Sequence, residues 1–333
     1  MSTVCRFISA SLALVLVALS GCGGGGGSST VAGIGGTGKI ASGTITDFGS
    51  IWVNGVEYDI DNASLEVNDD DSAVLSQDDL RIGMVVTVTA VVEGSSGVAS
   101  LVVYDNEIEG PVSGLTDPGN GLTKSFSVIG VDVIVDSAGT EFDDGEAPGF
   151  SFATIANDDV VEISGFIDGS NILNATYIKK TDDFLSGGSE VEFKGTADAG
   201  TDAGAGDSFT LDGVTVNIRA DADLSEVPDE RVTGAMFVEV EGMLTNDSPL
   251  TIDAFRIEQE EDGLEEDAGE AELEGFVSDF ADNSNFRVDG QLVDASNAEF
   301  EPAGLVLSDG MKVEVEGTIE GGILNARKVE QED

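Results

Sequence analysis

One pattern of strand and turn signals recurs four times along the chain, and a repeat of this kind limits the available architectures more than any other feature. Ile51-Trp52-Val53-Asn54-Gly55-Val56-Glu57-Tyr58 returns as Phe126-Ser127-Val128-Ile129-Gly130-Val131-Asp132-Val133 and as Phe209-Thr210-Leu211-Asp212-Gly213-Val214-Thr215-Val216. It returns a fourth time as Phe286-Arg287-Val288-Asp289-Gly290-Gln291-Leu292-Val293. Three of the four place Asn-Gly or Asp-Gly between alternating strands, the pair that tolerates the positive φ angles of a two-residue type I′ turn.

Before each hairpin lies a strand ending in glycine, at Gly43, Gly110, Gly195 and Gly275. After it comes a strand with period-two alternation, such as Val238-Glu239-Val240-Glu241-Gly242 or Val313-Glu314-Val315-Glu316-Gly317, recurring about every 75 residues. Alternation predicts one core face and one wet face. A last strand closes each unit, at 99–104, 173–178, 252–257 and 324–329. Five short strands in a unit this small bury enough apolar surface only by curling. The expected fold is therefore all-β, a tandem array of about four small five-stranded OB-like barrels, with small β-sandwiches as the alternative. The β repeats fall at 39–105, 106–181, 189–258 and 271–330. The acidic linker at 259–270 looks too polar and too repulsive to pack, so the copies are expected to behave as beads on a string.

Composition narrows the chemistry. The chain has no histidine, which excludes serine–histidine and cysteine–histidine catalysis and the commonest transition-metal ligand. Sixty-five acidic residues against 14 basic ones give a formal charge of −51, a surface that repels phosphate backbones, so nucleic acid is excluded as a partner. Dense surface carboxylates confer solubility in salty water; alternatively, some of them collect calcium.

The first six residues carry one cationic side chain, an apolar run spans 7–19, and small residues follow. That order is a secretory signal, with a run too short for a permanent transmembrane helix. Leu19-Ser20-Gly21-Cys22 resembles the lipobox of bacterial lipoproteins. The resemblance implies a signal peptide at 1–21, acylation of Cys22, and, with Gly23 rather than Asp next, the outer membrane. Ordinary secretion with a free thiol is the alternative. Residues 22–38 read as a flexible Gly/Ser tether. Cys5 leaves with the signal and Cys22 carries lipid, so no disulfide or thiolate metal site is expected.

The F-x-V-x-G hairpin resembles the bacterial repeat family known as domain of unknown function 5666. So do the strands of Gly310-Met311-Lys312-Val313-Glu314-Val315-Glu316-Gly317 and Leu324-Asn325-Ala326. The likeness is best in the fourth copy and weakest in the third. The family occurs in exported lipoproteins, and the resemblance implies no activity and no catalytic residues.

Candidate sites are few. Asp69, Asp70 and Asp71 in the first copy and Glu265, Glu266 and Asp267 in the acidic linker are the calcium candidates, although neither group has EF-hand spacing and a solvated loop is the plain alternative. Trp52 is either an exposed platform for a sugar ring or the plug of a barrel end. Glu314 and Glu316 point the same way at about 7 Å, a spacing a carboxylate-dependent hydrolase could use, but alternation on a strand produces such pairs automatically. The expectation is a non-enzymatic, lipid-anchored envelope protein without a required cofactor, acting as a binding or spacer module for protein or glycan. The alternatives are a calcium-responsive adhesion module and a hydrolase.

Overall fold

In the computed structural model the described residues are 37–67, 70–74, 76–144, 147–260, 263–264 and 269–332. The first copy contains β1 (Thr37–Phe48), β2 (Ile51–Val53), β3 (Val56–Asp59), β4 (Ser64–Val67), β5 (Asp70–Val74), β6 (Val85–Glu93) and β7 (Ser96–Tyr104). β1 pairs β2, β2 pairs β3, β3 runs parallel to β7, β7 pairs β6, and β6 returns to β1. The result is a closed five-stranded barrel with β4 continuing the line of β3 along β7.

The second copy repeats this order with β8 (Ile108–Thr116), β9 (Thr123–Val128), β10 (Val131–Asp136), β11 (Glu141–Asp143), β12 (Asp159–Ile167) and β13 (Ile172–Asp183). The third has β14 (Ser189–Thr196), β15 (Asp202–Ala203), β16 (Ser208–Leu211), β17 (Val214–Asp223), β18 (Val232–Thr233), β19 (Phe237–Asp247) and β20 (Leu250–Gln259). Its closure rests on one bridge, Ala197 to Leu211, with β15 and β18 forming a separate two-stranded flap. The fourth has β21 (Gly269–Asp282), β22 (Asn285–Val288), β23 (Gln291–Asp294), β24 (Glu299–Glu301), β25 (Lys312–Glu320) and β26 (Ile323–Gln331), closed as in the first.

Two local devices explain the repeated glycines. At each hairpin both turn residues have positive φ, as in Asp212 (46°) and Gly213 (87°), the type I′ geometry. The first of them folds over the glycine of the opening strand. A Cβ on Gly195 would stand 2.5 Å from Asp212 Oδ2, and one on Gly43 2.0 Å from Asn54 Oδ1. The second device is a bulge where the V-E-V-E-G strand meets the L-N-A strand. The register slips next to the pairs Gly165–Ala175, Gly242–Ala254 and Gly317–Ala326, and in the first barrel next to Ala90–Ala99. A bulge bends the strand around the barrel corner.

Inward alternate residues form the cores. Val53, Val88 and Val102 of the first barrel and Val288, Val315 and Val329 of the fourth are fully buried, each contributing about 1.5–3 kcal/mol.

The barrels are not beads on a string. The first and fourth share one 13-stranded sheet through parallel pairing of β1 with β21, and the second and third share an 11-stranded sheet through β8 and β14. The second and third barrels have one merged apolar cluster, and Tyr177 of the second joins the core of the first. Ser164 Oγ of the second barrel accepts from Val85 N of the first at 2.9 Å. Within the acidic connection, Leu264 lies against the fourth core, its N–H donating to Gln291 Oε1 at 3.0 Å. Unpaired sheet edges and apolar flanks gain more from each other than carboxylate repulsion costs.

Candidate functional site

Outward positions on these strands are the ones that alternation leaves for water, yet many of them face another barrel. Glu239 is 3 % exposed and Glu272 2 %. The expectation of a wet second face fails here because edge pairing covers it.

Across the sheet of the second and third barrels, one row of register partners runs Lys179, Glu162, Glu109, Glu192, Glu241, Arg256. The end cations hold the outer carboxylates, Lys179 to Glu162 at 3.6 Å and Arg256 to Glu241 at 3.0 Å. Glu109 and Glu192 stand between them as register partners. Burial, and then the surrounding carboxylates, push the Glu192 carboxyl up to about 9. Burial also raises Glu109, against a hydrogen bond from Thr181 Oγ1 at 2.7 Å.

Next to this row lies a cleft of about 440 Å³ to which all four barrels contribute, including Thr87, Asp168, Lys194 and Asp289. Asp105 and Glu107, from the segment joining the first barrel to the second, also line it. Lys194 Nζ pairs with Asp105 and lies 3.3 Å from Glu239. Burial pulls this ammonium down, but Asp105, Glu239 and Glu107 outweigh it and hold it charged. Glu107 and Asp289 are both raised, by burial first and then by neighbouring carboxylates. The cleft thus combines hydrogen-bonding groups, one fixed cation and an excess of acids, a setting that favours a ligand bearing positive charge.

The residues singled out from sequence lie elsewhere. Cys22, Asp69, Glu265, Glu266 and Asp267 fall outside the described residues. Asp70 and Asp71 are in β5, a short strand paired with β4, rather than in a loop. Among the described residues no group of three or more acidic side chains could hold a metal ion. Trp52 does not plug its barrel: Ile51 and Val53 point inward, while Trp52 is half-buried on the outer face between its partners Asp47 and Glu57. Glu314 and Glu316 do differ in environment. Burial and Glu272 raise Glu314, whereas Glu316 pairs with Arg327 at 3.2 Å, and neither lines the cleft.

Asp105, Glu107, Glu109, Glu192 and Lys194 were not legible as a site. The signal available was Ile108-Glu109-Gly110 and Val191-Glu192-Phe193-Lys194, carboxylates on a strand whose partner edge the sequence does not reveal. No curated protein matches the chain. Residues 109–179 and 274–330, within the second and fourth barrels, match the family described as Domain of unknown function (DUF5666), two matches that fall on two of the four repeats.

Proposed function

We propose that this chain is a non-enzymatic binding module of the bacterial envelope, held at the outer membrane through acylated Cys22. Its ligand is a cationic group presented by an envelope protein or glycan. The observation that carries the reading is the cleft at the meeting point of the four barrels, where side chains from every copy and from the connecting segments converge. A spacer needs no such convergence. An array packed around one polar cleft is suited to hold a ligand that no single repeat could bind, and largely pre-formed concave sites are where small ligands bind. The lipobox and the tether support the anchoring, since several acyl chains together hold a protein at a bilayer.

The reading is tested by calorimetric titration of the mature chain, with Cys22→Ser, against a lysine tripeptide and a deacetylated amino-sugar oligomer at matched ionic strength. One saturable site, weakened at least tenfold by E107Q/D289N, is expected with one of the two. Absence of saturable binding by both, or binding indifferent to the substitutions, overturns the reading, as does turnover of either ligand. Mass spectrometry of the membrane-extracted protein checks for acyl groups on Cys22.

A further inference from the structure

We propose that Lys39 and Glu272 close a covalent amide across the joint between the first and fourth barrels, with the neighbouring Glu314 carboxyl as proton donor. The bond is a self-catalysed modification of the folded chain and does not depend on what occupies the cleft.

The joint brings three side chains to one face. β1 and β21 run parallel, with Lys39 opposite Glu270 and Ala41 opposite Glu272, so Lys39 and Glu272 are diagonal neighbours on the same side of the sheet. β25, on the other edge of β21, adds Glu314, which is opposite Glu274 and diagonal to Glu272. Lys39 Nζ pairs with Glu272 Oε2, and the Glu314 carboxyl is hydrogen-bonded to Glu272. The lysine side chain is 11 % exposed and the Glu272 side chain 3 %. Oε2 is buried and accepts no hydrogen bond, so the contact with Lys39 is an approach of charges without a directed bond. The Tyr58 hydroxyl, close enough for Glu272 and Glu314 to raise it, is also buried with no hydrogen-bond partner. A lysine here is no requirement of the repeat: four residues before the strand glycine, the other copies carry Asn106, Val191 and Ala271. Cys5 and Cys22 both precede the barrels, so no disulfide staples them.

Burial makes the ionic form of this pair costly and brings the neutral amine and acid within reach. Burial first, and then Glu272, raise the Glu314 carboxyl to about 9, so it carries a proton at neutral pH and can deliver it inside the site. The steps balance without a co-reactant. Nζ gives one proton to the Glu272 carboxylate, which leaves an amine and an acid. The nitrogen lone pair attacks Glu272 Cδ and the C–N bond forms. The C–O bond to the hydroxyl then breaks as that group takes the Glu314 proton and leaves as water. A second proton lost by the nitrogen restores Glu314, and the third remains as the amide N–H. An ammonium and a carboxylate become an amide and a water, and two buried charges disappear. Strand register holds the reacting groups together, which removes the entropy cost of a bimolecular step. The bond ties β1 to β21, whose four register pairs are a backbone link between the first and fourth barrels.

The experiment is intact mass measurement, under denaturing conditions, of the mature chain carrying Cys22→Ser, followed by proteolytic mapping. The expected mass is one water below that of the sequence, with the peptide holding Lys39 joined to the peptide holding Glu272. K39R keeps the charge pair but offers a poor nucleophile, and is expected at the full sequence mass. E314Q is expected to form the bond at least about tenfold more slowly, read as the bonded fraction at successive times after expression. A full sequence mass in the unsubstituted chain overturns the proposal, as does a water loss that persists in K39R or maps to an Asp-Gly succinimide. Bonding in E314Q at the unsubstituted rate overturns it too. Should E314Q not fold, the masses of the unsubstituted chain and of K39R decide alone.

Discussion

Glu109 of β8 and Glu192 of β14 are register partners across the seam between two barrels, each also paired on its other side with a glutamate of its own barrel, Glu162 and Glu241. The Glu192 carboxyl is raised from its ordinary value to about 9. A carboxyl raised in the folded state binds its proton more tightly there than in the unfolded chain, so its stabilising effect is complete below the unfolded value and is lost as pH rises toward 9. Glu192→Gln removes that loss. The variant is expected to match the unsubstituted chain near pH 4 and to exceed it by at least about 1 kcal/mol at pH 8, after discounting for partial solvent exposure. Urea denaturation across the pH range measures the difference.

Lys194 holds Glu239 in a buried ion pair, their side chains 12 % and 3 % exposed. Removing one partner of a buried pair leaves an uncompensated charge, at a cost of about 3–5 kcal/mol. Lys194→Met is expected to destabilise by that amount, and Lys194→Met with Glu239→Gln to recover much of it, as read by a double-mutant cycle.

The corner bulge depends on glycine. A Cβ on Gly165 would come 2.3 Å from the Asn174 carbonyl oxygen, and one on Gly317 2.3 Å from that of Asn325. Gly317→Val is expected to cost at least about 2 kcal/mol by overpacking. Ala90→Gly at the matching place in the first barrel, where the bulge already carries a methyl group, is expected to cost no more than about 1 kcal/mol. Thermal melting compares the two.

Tyr104 of the first barrel donates to Glu162 Oε1 of the second at 2.7 Å, and its ring is buried. Tyr104→Phe is expected to cost about 1.5–3 kcal/mol, the range for hydrogen bonds to charged groups. The loss is expected to show as a lower melting temperature and as faster proteolysis between the first two barrels.

The first and fourth barrels meet through the four parallel pairs from Lys39–Glu270 to Ser42–Leu273, reinforced by a Lys39–Glu272 ion pair. A chain ending after residue 258 leaves that edge of β1 open. It is expected to melt at lower temperature and to self-associate, which light scattering detects, because open strand edges template pairing.

Much of each barrel was legible in the sequence. The alternation at Val313-Glu314-Val315-Glu316, the turn pairs at Asn54-Gly55 and Asp289-Gly290, and the glycines at the strand ends each express a local backbone requirement, so residues near in sequence were enough to reveal it. Gly195 and Asp212 are both repeat signals, but the reason for the glycine is tertiary: Asp212 lies over it, where a Cβ would stand 2.5 Å from Oδ2.

What the sequence by itself determined is the unit: strand, hairpin, returning strand and closing strand, four times over, all-β and without histidine. What only the tertiary structure decided is which edges meet. Pairing of β1 with β21 joins residues more than two hundred positions apart, and no periodicity records such a partner. That choice converts outward glutamates from a solvated face into facing rows at the seams and gathers Asp105, Glu107, Lys194 and Asp289 around one cleft. Periodicity reports whether a side chain points in or out of its own barrel; what lies outside is set by long-range packing, where edge pairing and apolar burial outweigh the repulsion of the carboxylates they enclose.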